Sequence, residues 1–173
     1  MDLYVILLRI VHIFSGVFWV GTAALSVFFI QPTAAALGPD AQKFMQDLSN
    51  RRRLSDFRLT VAVLNVITGI LLYWRASVGL QAAWITSGPG LGFTAGALAG
   101  IAALGVRLLI TQSAIVRSRA LRAEIQAAGQ PPTAEQVADL NQLGATASKA
   151  GRWTLVLLIV TLLFMATARY LSF

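Results

Sequence analysis

His12 is the sole histidine of the chain, and Arg9 stands three residues before it. On a helix that spacing puts both side chains on one face. An imidazole can ligate heme iron or a metal ion and can carry a proton. Arg75 and Arg169, the latter beside Tyr170, close two other apolar stretches whose ends fall on the same side as Arg9. Three guanidiniums around one imidazole could hold an anionic headgroup, a quinone head or the propionates of heme b. The alternative is that each arginine anchors its own helix in lipid headgroups, with His12 a packed histidine bonded near Ser15. A metal site on His12 would be incomplete, because zinc takes three or four protein ligands and the chain has no second histidine and no cysteine. A bis-histidine heme would need His12 from two chains. A single-histidine heme needs only one, and Met45 and Met165 are poorly placed for the opposite position.

Other chemistry is sparse. No GxSxG, HExxH or Walker loop occurs, and no catalytic residue is assigned. Without cysteine there is no disulfide, thiolate metal site or iron–sulfur cluster. Apart from Asp2, the acids (Asp40, Asp47, Asp56, Glu124, Glu135 and Asp139) fall between the apolar stretches. A proton or cation pathway normally needs an acid within the membrane, so a pump or cation channel is disfavoured.

The elements that must position these groups are membrane helices. Of the 173 residues, 57% are apolar and only 12% charged. The mean hydropathy is +0.71. A soluble domain carries about 25% charged residues, so this chain cannot cover a water-facing surface. Its apolar residues form four blocks, each about the length of a bilayer crossing: residues 3–30, 59–74, 91–113 and 153–171. Solid apolar runs point to helices rather than to the alternating strands of a barrel. The first run is too long for a signal-peptide core and is expected to remain as a helix ending at Gln31-Pro32. The expected fold is an all-α, integral membrane four-transmembrane-helix bundle, one membrane domain over residues 1–173.

Basic residues orient it. Lys43, Arg51, Arg52, Arg53 and Arg58 precede the second span, and Arg117, Arg119, Arg122, Lys149 and Arg152 lie between the third and fourth. Arg75 is alone in the loop between the second and third. Segments 31–58 and 114–152 are therefore expected in the cytoplasm of a bacterial inner membrane, with both termini outside. The net charge of +7 fits anionic lipid better than nucleic acid, since no soluble basic domain exists to hold the latter. Tyr73, Trp74 and Trp84 would form an outer aromatic belt and Trp153 an inner one. Ala41, Phe44, Met45 and Leu48 recur at helical spacing and predict a short amphipathic helix. The third span is expected to run on to about Ala128, where Gly129-Gln130-Pro131-Pro132 breaks it. Thr133 and Gln136 then have the spacing of a capping box, and Val137, Leu140 and Leu143 continue as a stripe. The picture is of helical cytoplasmic extensions forming a hairpin.

Within the spans, Gly92, Gly96 and Gly100 recur every fourth residue and make one smooth face for close helix packing. That face serves either a neighbouring span of the same chain or a homodimer seam. Arg107 is expected to snorkel from the inner end of the third span. Asn65 is deeper, and its amide is expected to bond a neighbouring helix together with Thr68 or Thr60.

His12, Trp19 and Gly21 read as H-x6-W-x-G. A proline and a basic stretch follow, Thr68-Gly69 comes late in the second span, and Ala166-Thr167-Ala168-Arg169-Tyr170 closes the fourth. This pattern resembles the small four-helix bacterial membrane proteins related to the CopD copper-resistance domain and to HemJ-type protoporphyrinogen oxidase. The resemblance implies the four-helix fold and, for the HemJ type, heme binding through the histidine that His12 matches. That type's third-span lysine is absent, with Thr94 or Gly96 about where it would stand. CopD-like copper ligands, histidine and methionine, are few here. The expected role is a non-enzymatic subunit packing in a larger or homo-oligomeric membrane assembly. The alternative is a heme-b redox protein with His12 as axial ligand and Arg9, Arg75 or Arg169 on the propionates.

Overall fold

The computed structural model describes residues 2–171, and every regular element among them is helical. Four helical runs are long and apolar enough to cross a membrane: Leu3–Leu37, Leu54–Ala76, Gly88–Ala128 and Ala134–Tyr170.

The first run comprises α1 (Leu3–Leu25), a π turn (Ser26–Ile30) and α2 (Gln31–Leu37). It does not stop at Gln31-Pro32. A proline inside an α-helix lacks an N–H and meets the carbonyl four residues back. Here the wider π turn ends just before it, so Pro32 falls in the first turn of α2. Gly38, at φ 56°, ends α2. The short helix expected next is α3 (Ala41–Gln46), with Ala41 on its buried side and Phe44 exposed.

The second run is α4 (Leu54–Ala76), followed by the short α5 (Ala82–Ile85). The third run joins α6 (Gly88–Val106), a π turn (Arg107–Gln112) and α7 (Ser113–Ala128). Gly129, at φ 63°, terminates α7 in the left-handed conformation that glycine adopts without steric cost. Thr133 and Gln136 form the expected capping box, each side chain accepting from the other residue's backbone N–H. From there α8 (Ala134–Thr167) is unbroken for 34 residues, uniting the Val137 stripe and the fourth span in one helix. At 1.5 Å per residue it is about 50 Å long, some 20 Å more than the thickness of a bilayer core, about 30 Å. Over that extra length α7 packs on α8 as a hairpin.

Helix α1 packs chiefly on α4, and α6 on α8. Between the two pairs sits a small core of Trp19, Ala23, Val61, Ala62, Ala103, Leu155 and Leu158. Long apolar side chains such as Phe14, Val17, Ile67, Leu98 and Leu163 face outward, as lipid-facing positions do. Asp2 approaches Arg75, and Leu171 lies against Gly88, so both described chain ends share one end of the bundle. The other end carries most of the basic residues and is termed the basic end.

Candidate functional site

A polar knot joins α1 to α4. His12 Nδ1 lies 2.9 Å from the Asn65 carbonyl oxygen and 3.3 Å from Thr68 Oγ1. A carbonyl only accepts, so Nδ1 carries the proton and donates it, which leaves Nε2 as the basic nitrogen. In return Asn65 Nδ2 donates to the His12 carbonyl at 2.7 Å and to Ser15 Oγ at 3.3 Å. Its 3.4 Å approach to His12 Nδ1 adds no bond once that nitrogen is protonated. Two glycines make room for the knot. A Cβ on Gly69 would come within 3.0 Å of His12 Cε1, and one on Gly16 within 3.0 Å of Asn65 Nδ2.

The helices explain why these groups meet. Ser15, Trp19 and Ala23 line the buried face of α1, and His12 continues it one turn earlier. On α4, Asn65, Thr68 and Gly69 fall within three to four residues of one another and share a face. The expected partnership of Asn65 with a neighbouring helix and Thr68 is present, whereas Thr60 bonds Asp56 on its own helix. His12 stands nine residues into α1, about 14 Å along it, which is half of a 30 Å layer.

The arginines do not join this knot. Arg9 and Arg169 are exposed, and Arg75 is exposed with its Nη2 3.8 Å from Asp2. No hydrogen bond or ion pair among the described residues links His12 to Arg9, Arg75 or Arg169. Nor do His, Cys, Asp and Glu gather in threes to hold a metal among the described residues. His12 can therefore supply one ligand, through Nε2, with its second nitrogen already fixed by a backbone carbonyl as in many heme and metal sites. Met165 packs against Gly96 between α6 and α8, away from this pair of helices.

Of the residues quoted for the family resemblance, His12, Thr68 and Gly69 converge on the knot. Trp19, 2% exposed, fills the core, and Gly21 faces open space. The Gly92, Gly96 and Gly100 face is filled by the chain itself. A Cβ on Gly92 would meet Ala168 at 2.9 Å, on Gly96 Phe164 and Met165 at 3.2 Å, and on Gly100 Thr161 at 3.5 Å.

A second polar layer lies at the basic end, around Arg107. Arg107 does not snorkel: it is 3% exposed. Its Nη2 donates to the Ser55 carbonyl at 2.9 Å and hydroxyl at 2.8 Å, and its Nη1 to Gln112 Oε1 at 3.0 Å. The Arg107-to-Gln112 spacing of five residues aligns the two on a π turn, though it would not on an α-helix. Arg58 Nη1 donates to Ser26 Oγ at 3.2 Å, where the other π turn of the spans begins. Gln31 Oε1 accepts from Ser148 Oγ at 2.7 Å, tying α2 to α8. The i, i+5 spacing was the one available signal.

No family model, curated protein or solved structure matches the chain.

Proposed function

We propose that the chain is a multi-pass protein of a bacterial inner membrane and acts there as a non-enzymatic subunit of a larger or homo-oligomeric assembly. The supporting observation is the direction of its side chains. Polar groups within the spans bond each other inside the chain, through the His12–Asn65 knot, the 2.6 Å Tyr73–Thr94 contact and the Arg107–Ser55 pair. The apolar side chains are left outside, α1 above all. Since the glycine face is occupied by α8, association would use these outer faces. The test is the mass of the native, mildly extracted chain. A discrete complex larger than one detergent-bound copy is expected, and a lone monomer sinks the proposal.

A second reading has a specific observation behind it. The 2.9 Å bond from His12 Nδ1 to Asn65 leaves Nε2 with its lone pair, the form that ligates heme iron. This agrees with the resemblance to HemJ-type proteins. Bound heme would supply one-electron redox chemistry, and this chain's part would be to hold and orient the one imidazole that ligates it, that of His12. Expression with added heme is expected to give a Soret band that His12→Ala abolishes. A folded, colourless wild-type protein removes this reading.

A further inference from the structure

The basic end gathers more positive charge than its carboxylates cancel. Arg58 lies three residues beyond Ser55 on α4, so it shares the face on which Arg107 is bonded. Asp56, two residues before Arg58, is the nearest carboxylate to it in the sequence. Asp56 is itself 2.9 Å from Arg53. The side-chain partners of Arg58 and Arg107 (Ser26, Ser55 and Gln112) are all neutral. Neither arginine has a hydrogen-bond partner for its buried Nε.

Depth narrows the counter-charge. Arg107 stands 19 residues from the start of α6 at Gly88, and Arg58 18 residues from the end of α4 at Ala76. At 1.5 Å per residue both lie about 27–29 Å from the opposite end of the bundle, close to the thickness of a hydrocarbon core. That is the level of a phosphate layer, and the planar fork of arginine matches phosphate oxygens. The neighbouring Phe57, Leu108 and Leu109 are exposed, giving an apolar flank suited to acyl chains.

We propose that Arg58 and Arg107 bind a phosphate-bearing anion at the basic end, the headgroup of an anionic phospholipid or free phosphate. Arg58 is only partly buried and offers the way in. The test uses the full chain, delipidated in detergent, and reads thermal unfolding and native mass. One arm adds phosphatidylglycerol, a second phosphatidylcholine and a third inorganic phosphate. Retention of one phosphatidylglycerol with a raised melting temperature supports a lipid source, and a matching response to inorganic phosphate supports a soluble one. Arg58→Gln is expected to weaken the response about tenfold, the loss of one charge-assisted bond. Arg152→Gln, which removes an exposed charge, should leave it unchanged. Arg107→Lys, keeping the charge without the fork, provides a second variant if Arg58→Gln is unstable. No response to either anion overturns the proposal, as does equal weakening by Arg58→Gln and Arg152→Gln.

Discussion

Asn65 holds the knot together because it reaches both the backbone and a side chain of α1. Its bonds to the His12 carbonyl and Ser15 replace contacts that hydrocarbon cannot supply. Hydrogen bonds between membrane helices average about 0.6 kcal/mol and reach about 1.7. Asn65→Leu, which keeps the branching at Cγ but removes the amide, is therefore expected to lower stability by about 1–2 kcal/mol in detergent unfolding. His12→Ala should lose part of the same energy, so the double mutant costs less than the sum. Strict additivity would mean that the two side chains do not work together. That both residues are polar and within spans was legible in the sequence. That the two meet each other was not, because that depends on the rotation of α1 against α4. Arg107 shows the limit more sharply. A long cation near a span end reads as snorkelling, and Ser55, short and next to a loop, announces nothing.

Among the elements, the α6–α8 contact is the most demanding, and its glycines differ in how much they demand. Alanine ordinarily favours a helix over glycine by up to about 1 kcal/mol. Gly105 faces open space, and a Cβ on Gly100 meets Thr161 at an ordinary 3.5 Å. Alanine at either site should be neutral or stabilising. At Gly92 a Cβ would sit 2.9 Å from the Ala168 Cα, and backbone cannot step aside. Gly92→Ala is expected to cost about 1–3 kcal/mol, the range for overpacking. Gly96→Ile should likewise lower the melting temperature while leaving the oligomeric mass unchanged. A uniform response along the series, or a drop in mass for Gly96→Ile, would contradict the packing described here. The four-residue spacing made close approach legible, but it carried no address for the partner helix. Local signals were read more fully. Thr133 with Gln136 marked the start of α8, and Thr133→Ala should cost about 1 kcal/mol by thermal unfolding. The π turn ahead of Pro32 escaped notice because apolar patterning assumes a constant period of 3.6.

For the whole molecule, the decisive quantity is the uneven sharing of positive charge between its two ends. Helix count followed directly from composition, since four apolar runs have nowhere to go in water. Orientation depends on the basic residues alone. Gln81 is exposed at the end shared by the described termini, and Gln130 at the tip of the basic hairpin. Single cysteines can be read without background because the chain has none of its own. Gln81→Cys is expected to react with an impermeant maleimide on intact cells, and Gln130→Cys only after permeabilisation. Neutralising Arg51, Arg52 and Arg53 together should not invert this result. Arg117, Arg119, Arg122, Lys149 and Arg152 would still outnumber Arg75, and the bias is a sum over loops. Labelling of both positions from the same side would remove the four-span arrangement itself. Labelling of Gln130 alone on intact cells would keep the spans and reverse the protein.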